Sequence, residues 1–400
     1  MLIEIHGAGF KNKGAELMLR TTLHELKTRI PNFIPAIDPY YGDFEARCNL
    51  GLMQLFPSRF HVGTPGYSKR LLKQTKFADL KIERLISRFA GVKLKDYGCV
   101  GLSDVQALID ISGFAYTDQW GSQPIKDFAK LTSYYKSKGK PVILLPQALG
   151  PFKKDETISG FRKIMDNASL IFPRDKTSYQ YVKELCPDSE KVFKATDITL
   201  FYPKNNIPIT QPSSDYVCII PNGRMYDQGN EQWGQKYEPY LIQIAQEILR
   251  LGLNVYIVVH DSSGLDLPIA ESLIDKLVSE NITLVTESNP IALKEIIGSS
   301  RMVIGSRFHS LVASFSKGVP AIALGWSHKY EMLFEDFGCG QFIVSHNTQI
   351  ENVLELVNKL ADKDSNYYWR KKIKQELTQM QSDNQNMWDS VVRIITNTEE

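Results

Sequence analysis

The chain has 400 residues, of which 43% are hydrophobic and 23% are charged, an ordinary composition for a globular protein and enough chain for two domains. Its net charge of +2 is too small for a general nucleic-acid binder, which excludes that class of partner and leaves at most peripheral membrane contact. The five cysteines are scattered and form no CxxC or Cys/His cluster, which predicts reduced thiols and no metal site.

The first residues resemble a buried strand rather than a charged and apolar leader segment. Residues 2–5 read LIEI, and no apolar run in the chain approaches the roughly 20 residues that a transmembrane helix needs. A cytoplasmic location is therefore expected.

A glycine-containing loop follows, and the next helix is predicted to end near residue 29. The loop reads HGAGFKNKGAE over residues 6–16, and it matches neither the dinucleotide fingerprint nor the P-loop. Backbone N–H groups can approach a ligand closely at such a loop, so residues 6–16 are a candidate ligand loop. A plain turn between strand and helix explains the pattern equally well.

Residues 39–106 have weak periodicity, apart from a basic and partly helical stretch at residues 69–88. That stretch is interpreted as a solvated amphipathic helix in preference to a contact surface for an acidic or lipid-linked acceptor.

Regular alternation of strands and helices begins at residue 107, and it is typical of a parallel sheet with crossover helices. The predicted strands span residues 107–111, 141–145, 170–172 and 192–194. The predicted helices between them span residues 126–137, 158–167 and 178–185.

Polar residues follow these strands, on the side where parallel sheets gather ligand groups. Gln147, Arg174 and Asp197 are therefore candidates for one shared rim. Arg174 has an alternative interpretation as a helix N-terminal residue that pairs with Asp175 or is solvated. Asp197, like Asp110, is more often a strand-end cap than a catalytic carboxylate.

Residues 202–215 are rich in Pro, Asn and Ser and are predicted to link two domains. Beyond them, strands are predicted at residues 216–220, 254–259 and 282–285, with helices at 238–251, 266–279 and 290–297. His260 follows the second of these strands and is predicted at the same ligand edge, with a hydrogen-bonded loop residue as the alternative.

The rest of the chain is organised around residues 302–329, MVIGSRFHSLVASFSKGVPAIALGWSHK, which predict a strand–helix–strand unit. Ser306 is the predicted N-cap of the helix, and Arg307 and His309 lie in its first turn. An anion would find the positive end of the helix dipole there. After the second strand Trp326, His328 and Lys329 are predicted at the equivalent edge, so that several cationic groups converge.

This stretch resembles the C-terminal signature of the polysaccharide pyruvyl transferases. The resemblance is carried by the order Ser306-Arg307-Phe308-His309, Gly318-Val319-Pro320 and Lys329. It also covers Asn12 and Gly14 in the first loop and the Gln147, Arg174 and Asp197 positions. Arg224, a cation after the first strand of the second domain, is implied as a donor or acceptor contact, with a loop salt bridge as the alternative.

The resemblance implies transfer of a pyruvyl unit from phosphoenolpyruvate, as co-substrate and without another cofactor, to a sugar of a polysaccharide or lipid-linked precursor. His309 is then the expected acid, and Arg307 and Lys329 are expected to hold the anionic ends of the donor. Expected donor or substrate contacts are Arg224, Ser306, Arg174, Asn12, Gly14, Gln147, His260 and His328, while Trp326 is expected to stack on the acceptor. Two alternatives stay open, a nucleotide-sugar glycosyltransferase and a non-catalytic polysaccharide-assembly protein.

The expected fold is α/β, with two Rossmann-like domains facing a cleft in a GT-B-like arrangement. Residues 1–203 are expected to form an N-terminal domain on the acceptor side, and residues 215–345 a C-terminal domain on the donor side. Residues 346–400 are strongly helical and are expected to cross back to the first domain.

Overall fold

The computed structural model describes residues 1–56, 94–203, 215–227, 230–325 and 328–397. The predicted basic helix at residues 69–88 and nearly all of the predicted linker lie outside these ranges. Contacts divide the chain into two compact units, residues 1–10, 18–195 and 385–400 in the first and residues 11–17 and 196–384 in the second.

The first unit is built on a parallel sheet that has seven strands within the described residues, in the order β4-β3-β2-β1-β5-β6-β7. Its strands are β1 (Leu2–His6), β2 (Ile34–Ile37), β3 (Met53–Phe56), β4 (Cys99–Gly101), β5 (Ala107–Asp110), β6 (Val142–Gln147) and β7 (Leu170–Pro173). The associated helices are α1 (Lys13–Arg29), α2 (Phe44–Asn49), α3 (Gln123–Ser137), α4 (Asp155–Asn167) and α5 (Lys176–Leu185). The core strands β5, β6 and β7 are buried throughout, which explains their continuous apolar sequences.

The second unit contains another parallel sheet, which has six strands in the described ranges, in the order β10-β9-β8-β11-β12-β13. Its strands are β8 (Tyr216–Ile220), β9 (Asn254–Val258), β10 (Ile282–Val285), β11 (Val303–Gly305), β12 (Ala321–Leu324) and β13 (Ile343–Val344). The helices are α6 (Glu231–Gly234), α7 (Tyr237–Arg250), α8 (Leu267–Leu277), α9 (Pro290–Ser299), α10 (Phe308–Ser316), α11 (His328–Asp336), α12 (Ile350–Ala361) and α13 (Lys363–Thr396).

The prediction of two parallel α/β sheets is confirmed, and α13 carries the chain back to the first unit, to which its last turns belong. One predicted strand, residues 192–194, is wrong: Val192 makes a single isolated bridge to Ile171. Residues 11–17, expected in the N-terminal domain, group with the second unit because their backbone pairs with the loop after β9. None of the helices that the structure describes is long and apolar enough to cross a bilayer.

Candidate functional site

The start of helix α10 is the centre of the candidate site. This helix follows β11, which lies between β8 and β12 in the middle of the second sheet. Arg307 is the N-cap and has extended backbone angles, so the helix begins at Phe308. The predicted N-cap, Ser306, is therefore one residue too early. The hydroxyl of Ser306 accepts a hydrogen bond from Tyr237 at 2.8 Å instead.

Ser306 is fully buried and fixes the chain just before the helix. Its backbone carbonyl accepts hydrogen bonds from Asn222 Nδ2 at 2.7 Å and from the Tyr330 hydroxyl at 2.7 Å. Three elements of the second unit are thereby attached to one residue. The polar atoms of Ser306 thus have partners within the protein. Its contact with a donor stays a prediction.

Arg307 is held by two carboxylates. Its Nε donates to Asp266 Oδ2 at 2.9 Å, its Nη2 donates to Asp266 Oδ1, and its Nη1 lies 3.2 Å from Asp261 Oδ2. Burial lowers the pKa of Arg307, but the contacts with Asp266 and Asp261 prevail and raise it above its ordinary value. The guanidinium therefore stays charged, and the fork-like pairing fixes its orientation.

The glycine-containing loop packs against one of these carboxylates, Asp261. Asn12 Oδ1 accepts from the N–H groups of Gly14 at 3.0 Å and Ala15 at 3.3 Å, so Asn12 caps helix α1. Its Nδ2 donates to Asp261 Oδ2 at 3.3 Å, and the Lys13 N–H donates to the His260 carbonyl at 3.3 Å. The structure thus brings Asn12 and Gly14 to the start of α10, across nearly 300 positions of sequence.

His309 lies in the first turn of α10, between the loop and an acidic residue. Its side chain is 17% exposed, and its Nε2 lies 3.7 Å from Asp197 Oδ2, a carboxylate that is almost fully buried. A Cβ placed on Gly14 would lie 2.1 Å from His309 Cγ and 2.3 Å from Nδ1. The imidazole is therefore positioned by Asp197 beside Nε2 and by the backbone of Gly14 near Cγ.

His260 is a buried neutral neighbour of these groups. Burial, the nearby His309 and the charge of Arg307 lower its pKa to about 3. Its Nδ1 is buried and has no hydrogen-bond partner within the described part of the chain. The predicted position of His260 at the ligand edge agrees with this geometry, and its contact with a ligand stays a prediction.

Lys329 is the second residue of helix α11, and its side chain reaches back to the start of α10. Its Nζ lies 5.7 Å from the ring centroid of Phe308 and 5.6 Å from that of Tyr330. A cation over the first aromatic residue of α10 adds positive charge at this end of the helix. Trp326 and the side chain of His328 lie outside the part of the chain that the structure describes.

Arg224 follows β8, as expected, but it pairs locally. Its Nη1 lies 2.9 Å from Asp227 Oδ2, and both side chains are more than 40% exposed. This is the loop salt bridge that the sequence left open as an alternative. A contact of Arg224 with the donor or acceptor stays a prediction.

In the first unit Gln147 and Arg174 are neighbours, since the Arg174 N–H donates to the Gln147 carbonyl at 2.9 Å. Gln147 Nε2 donates to Asp110 Oδ2 at 2.6 Å, while Ser112 and Tyr116 donate to the other oxygen at 2.6 and 3.0 Å. Burial raises the pKa of Asp110 to about 6. Asp197, expected on this rim, belongs to the second unit and lies beside His309.

Sequence reasoning missed the carboxylates of Asp261 and Asp266. Asp261 was visible only as part of the polar cluster after β9, and Asp266 has the appearance of an ordinary helix cap. Its side chain makes no capping bond, and it binds Arg307 and the Gly223 N–H instead. Among the described residues, no group of three or more His, Cys, Asp or Glu side chains is arranged to hold a metal ion.

Solved structures with a similar fold include enzymes bound to nucleotide sugars. UDP-GlcNAc 2-epimerase from Neisseria meningitidis bound to UDP-GlcNAc aligns over 93% of each chain with a TM-score of 0.55 and 12% identity. UGT71G1 from Medicago truncatula, complexed with UDP-glucose, aligns over 98% of each chain with a TM-score of 0.52 and 11% identity. At these identities the likeness establishes the GT-B-type fold alone.

Comparisons of sequence are more specific. The amylovoran biosynthesis protein AmsJ of Erwinia amylovora is 21% identical over 316 residues, which are 71% of this chain and 73% of that protein. The model of the polysaccharide pyruvyl transferase family matches residues 12–328, a range that runs from the capping asparagine of the first loop to the start of α11. The chain belongs to the polysaccharide pyruvyl transferase family.

Proposed function

We propose that this protein transfers a pyruvyl group from phosphoenolpyruvate to a sugar of a polysaccharide or of a lipid-linked saccharide precursor, and closes it as a ketal. Membership of the family supports a transferase in polysaccharide biosynthesis. The observation that carries the finer proposal is the placement of His309 in the first turn of α10, 3.7 Å from Asp197.

His309 is assigned as the general acid. Pyruvyl transfer requires a proton on the methylene carbon of phosphoenolpyruvate, which leaves a cationic carbon that a sugar hydroxyl can attack. Because Nε2 faces Asp197, the proton that is transferred lies on Nδ1, the nitrogen beside Gly14. The position of the Asp197 carboxylate beside Nε2 supports this assignment, because it orients the ring. Acid catalysis of this kind contributes about 10²–10⁴-fold.

The remaining steps balance without another reagent. The first hydroxyl forms a C–O bond and releases its proton, which returns His309 to its acid form. The second hydroxyl forms the other C–O bond as phosphate leaves with the second proton. The products are one ketal and one inorganic phosphate, and no cofactor is required. Because phosphoenolpyruvate is the donor in this scheme, we place the reaction in the cytoplasm.

The donor carries a carboxylate and a phosphate, and both require positive charge. The N-terminal end of α10 and Lys329 supply such charge. Arg307 is also cationic, but Asp266 and Asp261 already bind it. We therefore assign the donor anions chiefly to the helix end and Lys329. We assign to Arg307 the role of attaching the glycine-containing loop to the start of helix α10, through Asp261. A direct contact of Arg307 with the donor is a further prediction.

The test supplies purified protein with phosphoenolpyruvate and candidate saccharides and measures phosphate release together with ketal formation. Thermal-shift measurements with phosphoenolpyruvate and with UDP- and GDP-sugars form the second arm. Binding and turnover of a nucleotide sugar would favour the glycosyltransferase alternative, with which the fold neighbours are consistent. Binding of saccharide without turnover of any donor would favour a non-catalytic assembly protein.

A further inference from the structure

A buried lysine, Lys294, lies behind the candidate site and is unused by the proposed chemistry. It belongs to helix α9, whose sequence PIALKEIIGS is otherwise largely apolar, and only 2% of its surface is exposed. Lysine is rarely this buried, because the loss of hydration disfavours its charged form. Burial and the neighbouring Lys317 lower the pKa of Lys294 to about 7, while Glu295 and Asp197 act in the opposite direction.

The lysine is directed at the turn that carries Asp197. Lys294 Nζ donates a hydrogen bond of 2.6 Å to the backbone carbonyl of Thr199, inside the 3-10 turn Ile198–Phe201. The other charged groups that face Lys294 are Lys317, Glu295 and Asp197. Lys317 and Glu295 form an ion pair with each other. Lys294 contacts the turn directly through its hydrogen bond to Thr199.

Thr199 in turn holds one oxygen of Asp197. The N–H of Thr199 donates to Asp197 Oδ1 at 2.9 Å, and its hydroxyl donates to the same oxygen at 2.6 Å. The second oxygen, Oδ2, is the one that lies 3.7 Å from His309 Nε2. A continuous series of contacts therefore runs from the ammonium of Lys294 through Thr199 and Asp197 to the imidazole.

Packing alone does not account for a lysine at this position. The side chain runs from helix α9 to the 3-10 turn, and an apolar residue of the same length would be buried there without a desolvation cost. An ionisable group kept inside a core at a cost in stability is a common mark of a functional role.

We propose that Lys294 is a positioning residue: its ammonium fixes the 3-10 turn and thereby holds the Asp197 carboxylate against His309. This inference rests on the proposed function, because His309 is the general acid in that function. It adds a residue that touches neither donor nor acceptor and acts only through Asp197.

The test compares Lys294→Met, which keeps the length and removes the charge, with Lys317→Met as the matched control. Lys294→Met is expected to lower kcat for pyruvyl transfer about tenfold or more with little change in the KM for phosphoenolpyruvate. Lys317→Met is expected to stay within about twofold of wild type. Equal loss in both variants, or a loss in KM alone, would overturn the proposal.

A double-variant cycle tests the route through Asp197. If Lys294 acts through that carboxylate, Lys294→Met added to Asp197→Asn is expected to lower kcat no further than Asp197→Asn alone. Independent losses that multiply in the double variant would contradict the proposed route.

An NMR titration of the histidine ring protons separates this inference from the proposed function. The chain has seven histidines, and the signal of His309 is assigned by its disappearance in His309→Gln. Its midpoint is expected to fall in both Lys294→Met and Asp197→Asn, because the carboxylate is no longer held. Loss of the lysine charge alone would raise the midpoint, and a rise would overturn the inference. A fall in a protein that transfers no pyruvyl group would overturn only the proposed function.

Discussion

Gly14 lies directly against the imidazole of His309, so that a Cβ on Gly14 would fall 2.1 Å from Cγ of the ring. Separations under about 3 Å force something to move, and the Cγ and Cβ atoms of His309 belong to the rigid part of its side chain. Glycine is therefore required at position 14 because the ring of His309 lies so close, and not because of an unusual backbone angle. The relationship leads to the first prediction.

Gly14→Ala is expected to lower pyruvyl transfer by more than about tenfold, because the new methyl group displaces the ring from Asp197 and from the donor. Alanine raises helix propensity by about 1 kcal/mol relative to glycine, so a poorer helix cannot be the cause of the loss. Gly234→Ala is the matched control: Gly234 is also helical, and a Cβ there meets nothing within 4 Å. Equal activity of the two variants would contradict the prediction. Turnover of phosphoenolpyruvate and saccharide is the measurement.

Asp266→Asn is expected to destabilise the protein by about 3 kcal/mol, because it leaves the buried Arg307 guanidinium without its doubly bonded partner. Asp227→Asn, in the exposed pair with Arg224, is expected to cost less than about 1 kcal/mol. Chemical denaturation of the two variants measures the difference. Similar losses of stability in the two variants would show that the pair of Asp266 with Arg307 does not stabilise the protein more than an exposed ion pair.

The buried His260 predicts a loss of stability in acid. Its folded-state pKa of about 3 is below the ordinary 6.5. Between these two pH values His260 binds a proton in the unfolded chain but not in the native state. The free energy of unfolding is therefore expected to fall as the pH drops from about 6.5 towards 3, by about 1.4 kcal/mol per pH unit at most. Asp110, with its pKa raised to about 6, acts in the opposite direction between about 6 and 3.8.

Comparison with His260→Gln isolates the histidine, because Asp110 is unchanged in both proteins. Between about pH 7.5 and 5.5, wild type is expected to lose about 1 kcal/mol more unfolding free energy than the variant. Denaturant titrations at the two pH values provide the measurement. A parallel response of the two proteins would mean that folding does not lower the pKa of His260.

Lys329→Met is expected to weaken phosphoenolpyruvate binding by about tenfold or more, since one charged hydrogen bond contributes about 1.5–3 kcal/mol. Lys359→Met is the matched control, because Lys359 also lies over aromatic rings, those of Phe342 and Trp369. Calorimetry at low and moderate salt measures both. Unchanged affinity in Lys329→Met would remove this lysine from the donor site.

Much of the fold was predictable from local patterns. The continuous apolar runs of β6 and β12 and the apolar stripe of α10 are dictated by burial, and they place Arg307 and His309 in the first turn from sequence alone. Strands β2, β3 and β4 were missed because each has only three or four residues, and β3 and β4 also lie in the region of weak periodicity.

The partners of the site residues were not predictable, because tertiary structure alone brings them together. Asp197 is 112 positions before His309 in the sequence, and its side chain reads there as a simple cap. That interpretation is also true, since its Oδ1 accepts from the Thr199 N–H. No periodicity shows that Oδ2 faces an imidazole on another element, or that Asp266 binds Arg307 and not its own helix.

The most direct test of the account is the turnover of His309→Ala with phosphoenolpyruvate and an accepted saccharide, measured beside the affinity of the variant for phosphoenolpyruvate. The account predicts that wild type forms ketal and releases phosphate. It also predicts that the variant loses at least about 10²-fold in rate, and that its donor affinity stays within a few fold of wild type. Turnover by His309→Ala at the wild-type rate would contradict the central claim.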